Sequence, residues 1–131
     1  ALEAQVKASF PLSFMAANAS VEVAAKSADP QSVEKRLALL LREWPQIAAG
    51  LRRRLPEPKT VRRWLEAVGA PATAEAIGVP RDKHASDFAR ARLIRRRFTG
   101  LDVLHELGLM DVAVAEMFGA HGFWRESRAV A

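Results

Sequence analysis

Apolar residues recur along this chain at three- and four-residue intervals, the spacing of one face of a helix, and nowhere alternate with polar ones over the length of a strand. The pattern is firm from "SADPQSVEKRLALLLREW" onward. Asp29 can cap a helix, Pro30 suits its first turn, and Val33, Leu37, Leu40 and Leu41 fall on one face. Pro45 is expected to end or kink that helix, because the residue before a proline avoids the α region. "PQIAAGLRRRL" then runs as a second helix, its arginines late, where the helix dipole favours cations. In "PEPKTVRRWLEAVGAP", Pro58 opens a short helix, Val61, Trp64, Leu65 and Val68 form its apolar face, and Gly69 stops it. Thr73 can cap the short "AEAIG" turn, which Gly78 ends.

"PRDKHASDFARARLIRRRF" reads as the longest clear helix after that, with Asp82 early, arginines late, and Phe88, Ala91, Leu93 and Ile94 as buried contacts. "TGLDVLHELG" opens a further helix that Gly108 stops. "LMDVAVAEMFG" is the last, held by Met110, Val114, Met117 and Phe118. "VEV" at 21–23 is too short for a strand. The pattern predicts an all-α fold, a compact bundle of about five to seven short helices joined by short loops. Three stretches divide it: 1–32, Ala-rich, broken at Pro11 and open to helix or loop; 33–118, the helical lobe; and 119–131, a tail without trusted period that is expected to be mobile.

Composition narrows the class. A chain of 131 residues makes one domain or part of a larger one. The chain has no cysteine, which excludes disulfides and thiolate chemistry and suits a reducing, cytoplasmic setting. No apolar run is long enough to span a membrane. The first residue is Ala, not Met, which points to a processed chain or a fragment. Fifteen arginines and five lysines give a formal net charge of +5, which suits acidic partners.

Candidate chemistry is sparse. His84, His105 and His121 are far apart and lack the spacing of a metal motif; His121-Gly122 has no acidic partner at helical spacing. Asp82, Asp87, Asp102, Glu106 and Asp111 are the carboxylates that could act as general acid or base. Asp102 and Glu106, four apart, are expected on one solvated helix face. There is no Gly-rich phosphate loop and no serine nucleophile elbow. Arginines cluster at 52–54, 62–63 and 95–97, with Arg90 and Arg92 just before the last. On a helix, successive residues point about 100° apart, so three in a row cannot all face one groove. No Asn or Gln stands beside the third cluster to read bases, which argues against sequence-specific nucleic-acid recognition. Phosphate binding through one or two of these guanidinium groups fits better.

"WLEAVGAPATAEAIGVPRD" followed by "ARARLIRRRFTGLDVLHELGLMDVAVAEMF" resembles the C-terminal helical region of sn-glycerol-1-phosphate dehydrogenases. These include the AraM-like enzymes of the iron-containing alcohol dehydrogenase and dehydroquinate synthase-like superfamily. The resemblance covers about residues 33–118 as a string of parts, among them the Arg97-Phe98-Thr99 step, where the family usually has Tyr in the middle. It implies a fold similar to the helical lobe of those enzymes. It also implies an N-terminal NAD(P)-binding domain or subunit as partner, and a divalent metal, zinc by expectation, in the complete enzyme. Neither the nucleotide loop nor the metal ligands can be carried onto this chain, which offers no catalytic, cofactor-binding or metal residue. Arg97 and Thr99 can be carried over as candidates for a substrate phosphate, against the plainer role of a helix-to-helix corner.

Two functions follow as expectations. One is the C-terminal lobe of a glycerol-1-phosphate dehydrogenase-like oxidoreductase, silent as an isolated chain, with homo-oligomerisation open. The other is a free-standing basic helical binding protein. An orphaned lobe should expose an apolar patch where its partner docked; a free-standing module should have made that patch polar.

Overall fold

The computed structural model describes residues 2–124. Seven α-helices follow in order: α1 (Leu2–Ser9), α2 (Ser13–Ala24), α3 (Pro30–Arg54), α4 (Pro58–Ala67), α5 (Arg81–Arg90), α6 (Gly100–Glu106) and α7 (Met110–Phe118). Tight 3-10 turns occupy Glu75–Ile77 and Ala91–Ile94. There is no strand among the described residues, so the fold is all-α as the periodicity predicts. Residues 125–131, most of the expected tail, lie outside the described residues.

The chain divides into two compact units, one of Ala1–Asp29 with Ala85–Ala131, the other of Pro30–His84. In the first, the Ala-rich start is helix and not loop. Val6 from α1, Ala19 and Val23 from α2, and Leu93 from the second 3-10 turn close a small core, with Phe10 and Ala16 packed against it. Leu93 is only 1% exposed, and burial of such a side chain stabilises by roughly 1.5–3 kcal/mol. Phe118 of α7 is also buried and meets Phe88 edge-on, ring centroids 5.9 Å apart. Gly108, at φ 68°, takes the left-handed conformation that lets α6 stop and α7 begin.

The expected long helix through "RARLIRRR" is corrected. It is α-helical only to Arg90; a 3-10 turn follows, and Arg95 leaves it in extended conformation (φ −144°, ψ 141°). A 3-10 turn advances about 120° per residue, not 100°, so the buried face shifts. Arg92 is buried at 6% exposure, whereas Ile94, expected inside, is 51% exposed, and Ala91 is exposed too.

In the second unit α3 is one continuous helix of 25 residues, about 38 Å long. Pro45 was expected to end or kink the helix; it does not end it. Proline removes the hydrogen bond to the Leu41 carbonyl, but Leu41 and Pro45 are both exposed, so water can take that carbonyl. Pro58 opens α4 at its first turn and Gly69 (φ 69°) closes it. Thr73 accepts the Ala76 N–H at 3.3 Å and Gly78 (φ 76°) ends the 3-10 turn Glu75–Ile77. The apolar faces exist, yet α3 and α4 bury no residue.

Candidate functional site

The polar residues of the first unit converge where α2 ends, the 3-10 turn Ala91–Ile94 passes and α6 begins. Lys26, just beyond α2, places its Nζ 2.6 Å from Asp102 Oδ1, both side chains 6% exposed. The same ammonium donates to the backbone carbonyl of Arg92. The other carboxylate oxygen, Oδ2, accepts the Thr99 N–H at 2.8 Å and the Thr99 hydroxyl at 2.9 Å. Thr99 and Asp102 thereby form a capping box at the start of α6. Arg92 Nη2 lies 3.2 Å from His105 Nε2. Guanidinium can only donate, so Nε2 is the acceptor and the neutral ring carries its proton on Nδ1.

These contacts set the charge states. Burial alone would push the Asp102 carboxyl up; the Lys26 hydrogen bond, the two Thr99 bonds and the lysine charge outweigh it and hold the group below its ordinary value. Burial, then the Arg92 charge, push His105 down, against a smaller opposite pull from Asp102 and Glu106. Arg92 is likewise lowered by burial, with Asp102 opposing. The expectation of Asp102 and Glu106 on one solvated face is corrected: Asp102 is 4% exposed and ion-paired. Held ionised, with both oxygens bonded, it anchors α2 to α6 and is a poor proton acceptor.

The three arginines of the run turn to different sides. Arg96 turns to Glu22, with its backbone N–H at 2.8 Å, Nε at 3.2 Å and Nη2 at 2.7 Å from the carboxylate. Those bonds hold the Glu22 carboxyl below its usual range. Arg95 and Arg97 line instead an open depression of about 550 Å³, together with Thr99 and the apolar Ile94, Leu101 and Leu104. Arg97 and Thr99, the two sites carried over from the resemblance, therefore border one hollow. Both are exposed. The Thr99 hydroxyl proton is already given to Asp102, which leaves the guanidinium groups as the donors that can meet a ligand. The sequence offered Arg95 only as a member of the 95–97 cluster; the turn out of helix after Ile94 is what sets it beside Arg97.

His84 belongs to the second unit, whereas His105 and His121 belong to the first. Among the described residues no group of three or more His, Asp or Glu is placed to hold a metal ion. No helix of the described residues is long and apolar enough to cross a membrane.

Over 52 residues, 40% of its length, the chain is 38% identical to glycerol-1-phosphate dehydrogenase [NAD(P)+] of Bacillus velezensis. The aligned stretch spans only 13% of that enzyme. The chain is therefore related to that family over part of its length. No family model matches the chain, and no solved structure does.

Proposed function

We propose that this chain is the C-terminal helical lobe of a glycerol-1-phosphate dehydrogenase-like, NAD(P)-dependent oxidoreductase, and that alone it catalyses nothing. The observation that carries the proposal is the 38% identity to such an enzyme over 52 residues. The exposed apolar residues Val61, Trp64 and Leu65 of α4 support it, as surface that another domain would cover. The complete protein would move a hydride between NAD(P)H and dihydroxyacetone phosphate. The nicotinamide supplies the redox chemistry when bound. The residues described here do not fit a metal site, and no Gly-rich loop is present for the nucleotide. On this proposal the nucleotide belongs with an N-terminal NAD(P)-binding domain or subunit, and the metal with a part of the complete enzyme N-terminal to the matched residues. A cytoplasmic location follows from the same assignment.

Within this chain Arg97, seconded by Arg95, would attract the substrate phosphate through a two-pronged guanidinium contact. Thr99 would set the corner that aims Arg97. The rival function, a free-standing binding protein, draws its support from the first unit, which has a core and a satisfied polar network of its own.

The test is the intact mass of the native protein, captured with an antibody to this region and measured under denaturing conditions. A mass several-fold above 14.4 kDa, with NAD(P)H-dependent reduction of dihydroxyacetone phosphate by that longer protein, is the expected result. A mass near 14.4 kDa would overturn the assignment.

A further inference from the structure

α3 carries an apolar seam, half-buried at Leu37 and Ala48 and exposed at Leu41, Trp44 and Leu51. Leu37, Leu41, Trp44, Ala48 and Leu51, with Leu55 one residue past the end of α3, follow one another at intervals of four, three, four, three and four. That is the alternation of core positions in a two-stranded coiled coil. Leu41 is 66%, Trp44 50%, Leu51 45% and Leu55 62% exposed. Within α3 the seam runs from Leu37 to Leu51, fourteen residues on, about 21 Å along the axis. A continuous apolar stripe of this kind marks a contact surface.

The seam is complementary to itself when reversed. Turned end for end about Gln46, Leu41 falls opposite Leu51 and Trp44 opposite Ala48. The largest side chain meets the smallest, the large-against-small pairing that fills a helix interface without voids. A parallel pair does the reverse, setting Trp44 on Trp44 and Ala48 on Ala48. It would also lay Arg52–Arg54 of one helix beside Arg52–Arg54 of the other, like charge on like. In the antiparallel pair those arginines sit at opposite ends, against the uncharged Ala38, Leu39 and Leu40. The operation is a two-fold axis, the commonest symmetry of soluble oligomers. We propose that the occupant of this seam is a second copy of the chain, docked antiparallel along α3. The proposal is independent of the enzymatic assignment.

The test uses the whole 131-residue chain. Sedimentation over a wide concentration range should show the mass rising from 14.4 kDa to twice that value. Leu41→Lys and Leu51→Glu should each lose the dimer with helicity unchanged, since both positions are exposed. Mixing the two variants should restore it, because the new lysine then faces the new glutamate while the second layer stays Leu on Leu. The chain has no cysteine, so installed thiols report without background. A mixture of Leu41→Cys and Leu51→Cys chains should form a disulfide-linked pair. Leu41→Cys alone should not, since its two thiols would lie ten residues apart, about 15 Å, beyond disulfide reach. A mass of 14.4 kDa at every concentration would overturn the proposal and leave the seam to a different chain or domain. So would dimers of the charged variants as strong as the wild type, or efficient cross-linking of Leu41→Cys by itself, which only a parallel pair permits.

Discussion

The two units differ in what they do with apolar and charged residues. Every buried residue among those described lies in the unit of Ala1–Asp29 with Ala85–Ala131, and Pro30–His84 has none. The first unit is neutral, nine basic residues against nine acidic; the second has eleven against six and so carries the whole +5. Helical amphipathicity is present in both. In the first it is consumed inside the unit, on Val6, Ala19, Val23 and Leu93. In the second it is left facing outward beside clustered arginines, as Leu41, Trp44 and Leu51 show. An amphipathic pattern thus announces a face, and only packing shows whether the molecule covers that face itself.

The contrast can be broken by mutation, and the sharpest cut is Asp102→Ala. It strands the buried Lys26 ammonium and removes half of the capping box. Loss of one partner of a buried pair costs about 3–5 kcal/mol. Glu66→Ala, an exposed position in α4, should shift stability by less than about 0.5 kcal/mol. Urea unfolding of both variants checks the difference. Next comes Leu93→Ala, which empties a core position and should cost about 2–5 kcal/mol. Leu41→Ala in dilute solution should cost under about 0.5 kcal/mol, as at an ordinary surface site. Equal losses would erase the distinction between the units.

Acid should act on the first unit in two steps. The folded-state values of His105 and Asp102 both lie below their ordinary ones. For each, the unfolded chain binds the proton more readily, so stability is present above the ordinary value and falls as pH drops towards the folded one. The first loss begins just below pH 6.5, the ordinary histidine value, and the second below pH 3.8, that of aspartate. An NMR titration of His105 should place its midpoint below 6.5. Asp102→Asn should move it lower still, because the Asp102 charge opposes the depression. A smaller loss within the first unit is expected of Thr99→Ala, which removes the cap of α6 and should cost about 1 kcal/mol in the same unfolding assay.

Much of the helix map was legible. Pro58, Gly69, Gly78 and Gly108 are punctuation that acts locally, and the elements they bound stand where local chemistry puts them. Three features were not legible, each for a physical reason. Pro45 looked like a break because propensity ignores solvation of the freed carbonyl. The exchange of Arg92 for Ile94 inside the fold came from a switch of helical period that no residue type signals. The pairing of Lys26 with Asp102 spans 76 positions, and a lone lysine in an Ala-rich stretch gives no hint of a partner that distant. Of the candidate site, Arg97 and Thr99 came from resemblance. Arg95 beside them, and the diversion of Arg96 to Glu22, depended on backbone geometry that a helical reading conceals.

Amide hydrogen exchange, followed by mass spectrometry in dilute and concentrated solution, tests most directly whether one unit closes its own core while the other waits for a partner. Amides of α2 and of the turn Ala91–Ile94 should be protected equally at both concentrations. Amides of α3 should exchange quickly when dilute and gain protection as the concentration rises. Protection of α3 in dilute solution equal to that of α2, unchanged on concentration, would contradict the account.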